Sequence, residues 1–452
     1  MGTFEEHNRN QELVLSIQEA LEANDLLSVR DALGLLHPSE LADLLESLPS
    51  EIRDELWVHV EPAAEGGVLA EANDSVRAAL LENMAPQQVA AATASLDSDD
   101  AADILQDLSE SRADEVLRSM DDQNRARIAS ILSYPEDTAG GLMNVDVVTI
   151  RADVDAAVVL RSLRLHHSIP EKTDSLMVVD RENTYLGVLA LATLVSAPTS
   201  AYVGDLMRAD AEGIPASTKA ADVALLFEQR DLLSAAVVDG NGSLLGRITV
   251  DDVIDVIREQ SAHSFMSAAG LNEEDDFFPP VLEATRRRST WLAINLATAF
   301  LAAWVIGRFD ATIQQLVALA ILMPVVASMG GVAGSQTLTL VIRGLALGQV
   351  GSANSRLLLC REMAIGVLNG VVWAVVVALV AGVWFSDLWL GVVIGSAIIL
   401  NLVAAAFSGA VIPLILRRIQ IDPALAGGVV LTTVTDVVGF VSFLGLATLF
   451  LL

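Results

Sequence analysis

The chain has 452 residues and a formal net charge of -31 at pH 7, because 58 Asp and Glu outnumber 27 Lys and Arg. A surface of this charge repels nucleic acid and attracts divalent cations, although an ordinary solubilising surface would carry the same charge. We therefore exclude a nucleic-acid-binding protein. A single cysteine, Cys360, excludes an intramolecular disulfide and is typical of a reducing compartment.

Residues 1–132 are predicted to form an acidic, all-α domain. From residue 26 onward, short segments carry Leu, Ile, Val and Ala at helical spacing, and each begins with Ser, Asp or Pro at a capping position. Such segments favour short helices stacked into a superhelix, which binds or supports other parts of a molecule. The polar first residues lack the pattern of a signal peptide, so we expect this domain to stay in the cytoplasm.

Four aspartates lie together near the start of one predicted helix of this domain. They are Asp97, Asp99, Asp100 and Asp103. Helix capping and compensation of the helix dipole would account for Asp97 and Asp99. These effects leave the full cluster unexplained, so we keep Asp97 and Asp100 as candidate ligands of a regulatory cation.

Residues 133–260 contain two copies of one α/β unit. Four pairs of positions align the copies: Met143 with Met207, Ile150 with Ile214, Asp180 with Asp239, and Gly187 with Gly246. In each copy a buried strand ends in Val-Val-Asp, a polar turn follows, and a second strand leads into a helix. The pattern resembles a tandem pair of CBS domains, which implies ATP or another adenine nucleotide as a candidate ligand and leaves its binding residues open.

Residues 281–452 are predicted to form a transmembrane domain of five α-helices. The long, nearly uncharged runs are 291–306, 316–340, 364–385, 388–416 and 424–452. Most of them exceed the roughly 18 apolar residues that a membrane-spanning helix needs, and the first can be extended at both ends. The predicted fold is therefore multi-domain, with a superhelical all-α N-domain, an α/β pair and a membrane bundle.

The basic residues that flank these runs predict the orientation in the inner or plasma membrane. They lie before the first run (Arg286, Arg287 and Arg288), between the second and third (Arg343, Arg356 and Arg361), and between the fourth and fifth (Arg417 and Arg418). Short cytoplasmic loops retain such residues, and the other side has Arg308 alone. We expect cytoplasmic N-terminal domains and a C-terminus on the outer side.

Asp436 is the only carboxylate deep inside the last apolar run. An ionised side chain near the centre of a bilayer costs from about 2.5 to more than 10 kcal/mol, so it indicates a function. A bound cation is one explanation; a buried acid paired with Thr or with Asn401 of the fourth run is the other. Thr432 and Gly428 lie one and two helical turns before Asp436 and would face the same side.

Three further residues of the membrane domain are ambiguous. Pro324 is expected to kink the second run and to free backbone groups that must face protein or water. Asn401 is explained equally well by hydrogen bonding between helices. Glu362 either forms a local ion pair with Arg361 or takes part in ion entry.

Several strings in a fixed order resemble the MgtE family of magnesium channels and transporters over nearly the whole chain. These strings are YPEDTAG from Tyr134, ITVDDV from Ile248, REM from Arg361, NL from Asn401, and DPAL from Asp422 leading to Thr435 and Asp436. The resemblance implies a homodimer, in membrane lipid, whose axial pore holds hydrated Mg²⁺ between the two copies of Asp436. Mg²⁺ dehydrates reluctantly and is commonly bound by one or two carboxylates, which agrees with such a site.

The resemblance also implies regulation by cytoplasmic Mg²⁺, which binds between the cytoplasmic domains and closes the pore. Asp231, Asp252 and Asp255 match the acidic ligands of the family. A connecting helix and linker over residues 251–280 would transmit the closure, and the prolines at its end would terminate the helix.

This sequence departs from the family pattern at several positions. Uncharged or basic residues replace expected carboxylates at Gln260, His263 and Ser264, so weaker sensing of Mg²⁺ is expected. Val332, Gly428 and Val429 replace the residues usual near the pore, which leaves selectivity among Mg²⁺, Mn²⁺ and Co²⁺ open. The alternative is a carrier of another divalent cation or an anion, regulated by a nucleotide. No catalytic motif is apparent, so an enzyme is not expected.

Overall fold

A computed structural model describes residues 16–17, 20, 23, 25–165, 169–170, 172–267, 271, 278–279, 281–351 and 353–452. The chain forms two compact units, of which one contains residues 1–262 with 274–279 and the other contains 263–273 with 280–452. Most of the predicted linker over 272–280 lies outside the described residues, as does the side chain of Ser264.

The first unit begins with short helices, nine of which lie between residues 26 and 131 of the described chain. They are α1 (Leu26–Leu33), α2 (Pro38–Glu46), α3 (Ser50–Trp57), α4 (Pro62–Glu71), α5 (Asp74–Asn83), α6 (Pro86–Thr93), α7 (Ser98–Gln106), α8 (Glu110–Ser119) and α9 (Asp122–Ile131). Proline opens α2, α4 and α6, where its missing N–H costs no hydrogen bond. Packing of α2 on α4, α4 on α6 and α6 on α8 confirms the predicted stack of helices.

Two three-stranded sheets follow in the same unit. The first copy contains β1 (Thr149–Arg151), α10 (Ala156–Leu165), β2 (Ser175–Val179), β3 (Tyr185–Ala190), α11 (Leu191–Ser196) and α12 (Val203–Leu206). The second contains β4 (Ile214–Pro215), α13 (Ala220–Arg230), β5 (Ser234–Val238), β6 (Leu244–Thr249) and α14 (Val250–Ser267).

The two sheets have the same topology. In each, the first strand pairs in parallel with the second, which pairs antiparallel with the third. Val178 faces Gly187 in the first sheet and Val237 faces Gly246 in the second, and each register shifts at the next residue. This agreement confirms the predicted duplication. Hydroxyl groups of Ser175 and Ser234, 3.1 Å apart, join the two sheets.

The second unit is a bundle of long apolar helices with one short helix between the first two. Its helices are α15 (Val281–Gly307), α16 (Asp310–Gln315), α17 (Ala318–Ala346), α18 (Ser355–Trp384), α19 (Leu388–Arg418) and α20 (Pro423–Phe450). Within the described chain, five of them are long and apolar enough to cross a membrane, which confirms the predicted number. The most buried, α19, packs against α17, α18 and α20.

The helices differ from the predicted runs chiefly at the ends that carry arginines. Helix α18 begins at Ser355, nine residues before the apolar run, and α15 begins at Val281 and so includes all three arginines that precede its run. Hydropathy detects only the part of a helix that fits the hydrocarbon layer. Charged residues continue the same helix where it enters the aqueous interface.

Candidate functional site

Asp436 lies at the side of a groove between α17 and α20. The groove has a volume of about 790 Å³. It is lined by Ala327, Ser328, Gly331, Val332, Ser335, Gln336, Thr339, Thr432 and Asp436. Its lining is therefore small, uncharged or hydroxyl-bearing apart from one carboxylate.

Helical spacing explains why these side chains share one wall. The lining residues of α17 recur every fourth position from Ala327 and from Ser328, and Thr432 precedes Asp436 by four residues in α20. Another stripe of α17, which includes Val326 and Gly330, is buried against the bundle. Pro324 lies inside α17, less than one turn before the first lining residue.

Within the described chain, the carboxylate of Asp436 has no hydrogen-bond or ion-pair partner. Neither a threonine nor Asn401 bonds to it in the described structure. The neighbouring Thr432, Thr433 and Thr435 donate to carbonyls of their own helix. The amide nitrogen of Asn401 donates to the carbonyl of Val326. The geometry therefore does not support the alternative of a buried, paired acid.

Thr432 contributes an acceptor to the groove. Its hydroxyl donates a 2.8 Å hydrogen bond to the carbonyl of Gly428, so the lone pairs of its oxygen remain available to a ligand. Gly428 is not itself among the lining residues, and a Cβ built on it would meet no atom within 4 Å in the described structure. Val332 is 58% exposed at the opposite wall.

Glu362 lies inside the bundle and not in the groove. Its carboxylate is 6% exposed and accepts a 2.9 Å hydrogen bond from the hydroxyl of Thr337. The alternative of an ion pair with Arg361 is therefore wrong in this structure, because the carboxylate points toward α17.

A second candidate site lies in the first unit, at the start of α7. Carboxylate oxygens of Asp97, Asp99 and Asp100 all lie within 4.8 Å of one another. Asp99 is buried and accepts a hydrogen bond from the side chain of Asn144, which also bonds Ser98. Asp97 occupies the N-cap position, but in the described structure its side chain makes no capping hydrogen bond. Helix capping therefore does not explain Asp97.

The start of α14 adds further carboxylates. Burial and the nearby charges of Asp252, Asp100 and Asp97 raise the pKa of Asp99 well above its usual range. Burial likewise raises the pKa of Asp100 to about 6 and that of Asp252 to about 7. Crowded carboxylates hold their protons because ionising all of them would be costly. A divalent cation would remove that cost.

Two basic residues partly compensate the acidic cluster. Lys172 pairs with Asp251. Burial by itself would raise the pKa of Asp251, but hydrogen bonds from Lys172 and Thr249 outweigh this effect and lower the pKa below its usual value. Arg77 pairs with Asp107 and Asp74. Burial nevertheless raises the pKa of Asp103 to about 8 against the effect of Arg77.

The structure groups some of the predicted regulatory residues and separates others. Asp97, Asp100 and Asp252 belong to one cluster, and the exposed Asp255 continues the same helix one turn later. Asp231 instead ends α13, where it is exposed in a left-handed conformation with φ of 49°.

Sequence reasoning missed several members of this cluster as ligands or partners. Effects of the helix terminus account for Asp99 from the sequence alone, and they leave Asp103 unexplained without indicating it as a ligand. Asp251 lies beside Asp252 in the string ITVDDV. Lys172 lies 79 residues from its partner, so no local pattern could have indicated it.

The chemistry of both sites suits a hard cation. Their ligands are carboxylate and hydroxyl oxygens, which Mg²⁺, Ca²⁺ and Mn²⁺ prefer over nitrogen or sulfur. Three carboxylates at the start of α7 fit a resident divalent ion. The groove offers one carboxylate per chain, which fits a mobile ion that keeps most of its water.

Comparison with known proteins agrees with this chemistry. A family model described as "Divalent cation transporter" (MgtE) matches residues 323–446, the "MgtE intracellular N domain" matches 36–137, and a CBS domain matches 203–259.

Two relatives and one solved structure cover large parts of the chain. A magnesium transporter MgtE of Thermus thermophilus is 30% identical over 98% of this chain and 99% of its own. One of Bacillus subtilis is 28% identical over 97% and 98%. The cytosolic domain of the Mg²⁺ channel MgtE, crystallised with ATP, is 31% identical over 54% of this chain and 99% of its own, with a TM-score of 0.50.

Proposed function

This chain belongs to the MgtE family, and from that premise we propose that it conducts hydrated Mg²⁺ through a pore formed by two copies of the chain. It is a multi-pass membrane protein with cytosolic N-terminal domains, and family membership confirms that it is a transporter and not an enzyme. The observation that carries the proposal is the unpartnered carboxylate of Asp436, in a groove lined by small and hydroxyl-bearing residues of the described chain.

The exposure of the groove supports a dimeric pore. Ser328, Ser335, Gln336, Thr339 and Thr432 are all exposed along one side of a single membrane unit. Such polar side chains do not normally face lipid; they face the interior of a bundle or water. A second copy placed against this side would cover them and close the groove into a channel.

Asp436 would select for cations in this pore. Two copies of its carboxylate, one from each chain, attract a doubly charged ion and repel anions. Water molecules retained by Mg²⁺ would bond to the hydroxyl of Thr432 and to the other lining hydroxyls. Among the described residues that line the groove none is basic, which argues against an anion carrier.

We further propose that the acidic cluster at the start of α7 and α14 senses cytoplasmic Mg²⁺. With the ion bound by Asp97, Asp99, Asp100 and Asp252, the helical domain and the CBS pair are held together. When the ion leaves, the carboxylates repel one another and this contact loosens. The change passes along α14, which continues in the chain toward the membrane helices.

Two further proposals concern the ligand of the CBS pair and the side of the membrane on which the C-terminus lies. An adenine nucleotide is a candidate ligand of the CBS pair, because a similar cytosolic domain was crystallised with ATP. The C-terminus is expected on the outer side, because the arginines that flank the membrane helices cluster at the other ends.

Growth of a bacterium that lacks its own magnesium uptake systems tests the pore. We expect Asp436→Asn and Asp436→Ala to lower Mg²⁺-dependent growth and uptake by at least about tenfold, because the neutral groove no longer attracts the ion. Asp310→Asn is the matched control: it removes an exposed carboxylate from the same unit and should leave uptake unchanged. If the Asp436 variants support growth as well as the unmodified chain at equal membrane levels, the proposal fails.

A further inference from the structure

We propose that Asn401 is a positioning residue for ion selection, which fixes the separation of α17 and α20 beside Asp436. The proposal rests on the function proposed above and adds a residue that does not itself line the groove. The evidence for it is that the buried amide of Asn401 contacts both α17 and α20, the two helices that line the groove.

Asn401 bonds to α17. It lies near the middle of α19, and its side chain is 0% exposed. The amide nitrogen donates a 2.8 Å hydrogen bond to the carbonyl oxygen of Val326, 75 residues earlier in the chain. Because the amide is planar and fully enclosed, it has little freedom to follow a displaced partner.

Two glycines leave the space that this amide occupies. A Cβ built on Gly330 of α17 would lie 2.2 Å from the amide nitrogen of Asn401. One built on Gly439 of α20 would lie 2.8 Å from the same atom and 3.3 Å from a methyl carbon of Val326. Asn401 therefore touches both helices at the place where they meet.

These contacts lie directly behind the groove. Val326 and Gly330 are buried, and the residue after each, Ala327 or Gly331, lines the groove. Gly439 follows Asp436 by three residues, which is less than one helical turn. A change in the packing of Asn401 against α17 and α20 therefore displaces these two helices, which form the walls of the groove beside Asp436.

The choice of an amide is not explained by packing alone. The oxygen Oδ1 of Asn401 is buried and has no hydrogen-bond partner among the described residues, an unfavourable arrangement. An aliphatic side chain of similar size would avoid that cost but would lose the bond to Val326. We infer that the bond is kept because it fixes the position of α17.

The width of the groove bears on ion choice because Mg²⁺ holds its water shell tightly. If a wall moves toward or away from Asp436, the width of the groove changes. That width determines whether a fully hydrated ion fits and whether a partly dehydrated ion can reach the carboxylate. We therefore expect the ratio of Co²⁺ to Mg²⁺ uptake to depend on Asn401, even though its side chain never meets the ion.

The test compares uptake of Mg²⁺ and Co²⁺ by the full chain in membranes. We expect Asn401→Ser, which removes the bond without adding volume, and Gly330→Ala, which crowds the amide, each to change the Co²⁺ to Mg²⁺ ratio by about threefold or more. Combining Gly330→Ala with Asn401→Ala relieves the crowding but still lacks the bond to Val326, so its ratio should stay close to that of Asn401→Ser and not return to the original. Ser396→Ala, which removes a hydroxyl bonded within α19 itself, is the control.

Two results would overturn the inference. If the single variants lower uptake of both ions in proportion, or leave the ratio unchanged, Asn401 has only a structural role. A variant that does not reach the membrane is replaced in the comparison by Gly439→Ala, which crowds the same amide from α20. Failure of the underlying pore is distinguished by Asp436→Asn, which would then conduct normally whatever happens at Asn401.

Discussion

Carboxylates occur in this chain in two opposite surroundings. Asp436 has no partner in the described structure and faces a groove, whereas Asp99, Asp100 and Asp252 crowd against one another. Asp436 is isolated in an apolar unit, and the other three are crowded in a polar one. In both cases the ionised carboxylate is unfavourable until a cation binds. A mobile ion can satisfy the first arrangement and a resident ion the second.

Removing one carboxylate of the crowded group should weaken the sensing site. We expect Asp100→Asn and Asp252→Asn each to raise the Mg²⁺ concentration that protects the cytoplasmic unit from limited proteolysis by about tenfold, because affinity for hard cations increases with ligand charge.

Asp210→Asn is the matched control for this measurement. It makes the same change of charge on the same unit, but at an exposed position in the turn before β4. An equal shift in all three variants would mean that Mg²⁺ responds to the overall negative charge and that no specific site is needed.

At the level of elements, the membrane helices are held together by close contacts and a few buried polar bonds. Gly366 of α18 packs on Ala406 of α19, where a Cβ would lie 2.7 Å from the methyl group of that alanine. Between α17 and α18, the buried bond from Thr337 to Glu362 is the corresponding polar contact. Such bonds contribute about 0.6–2 kcal/mol each between membrane helices.

Breaking that bond should destabilise the bundle. Thr337→Val leaves the buried carboxylate of Glu362 without its donor, so we expect the unfolding free energy in detergent to fall by about 1–3 kcal/mol. Thermal unfolding of the purified chain measures this. Thr339→Val changes an exposed residue of the same helix and should leave the unfolding temperature nearly unchanged; a comparable fall in both variants would contradict a specific role for Glu362.

At the scale of the whole molecule, the acidic charge belongs to the cytoplasmic part. Residues 289–452 carry six Arg and five acidic residues, which leaves 21 basic and 53 acidic residues in the first 288. The first unit therefore repels itself more strongly as its carboxylates ionise, and its stability is linked to both protons and divalent cations.

This linkage has a definite sign. The pKa values of Asp100, Asp252 and Asp103 are raised to about 6, 7 and 8 in the folded unit, whereas an unfolded aspartate has a pKa of about 4. Between these values the folded unit binds more protons than the unfolded chain, so its stability is highest at the acidic end and decreases as the pH rises toward 8.

In the presence of a chelator, we therefore expect the unfolding midpoint of the cytoplasmic unit in the full chain to fall by about 5–10 °C from about pH 5 to about pH 8. Saturating Mg²⁺ should reduce this dependence, since the ion replaces the protons. Stability that rises with pH in the chelator would contradict the burial of these carboxylates.

Features that depend on residues close together in the sequence could be predicted, whereas contacts between distant residues could not. The repeat that relates Gly187 to Gly246 and the five apolar runs depend on neighbouring residues, and both were predicted. The starts of α15 and α18 were placed too late, because hydropathy does not detect the charged ends of a long helix. The partner of Glu362 was missed, because Arg361 is adjacent in sequence while Thr337 is adjacent only in space.

The sequence by itself determined the number of membrane helices, the duplicated α/β unit and the unusual position of Asp436, because periodicity, hydropathy and charge are local properties. Only the tertiary structure decided that Asn144 bonds Asp99, that Lys172 pairs with Asp251 and that Asn401 lies between two glycines. These partners are 45 to 79 residues apart or on different helices, and which of them meet is decided by the packing of whole elements.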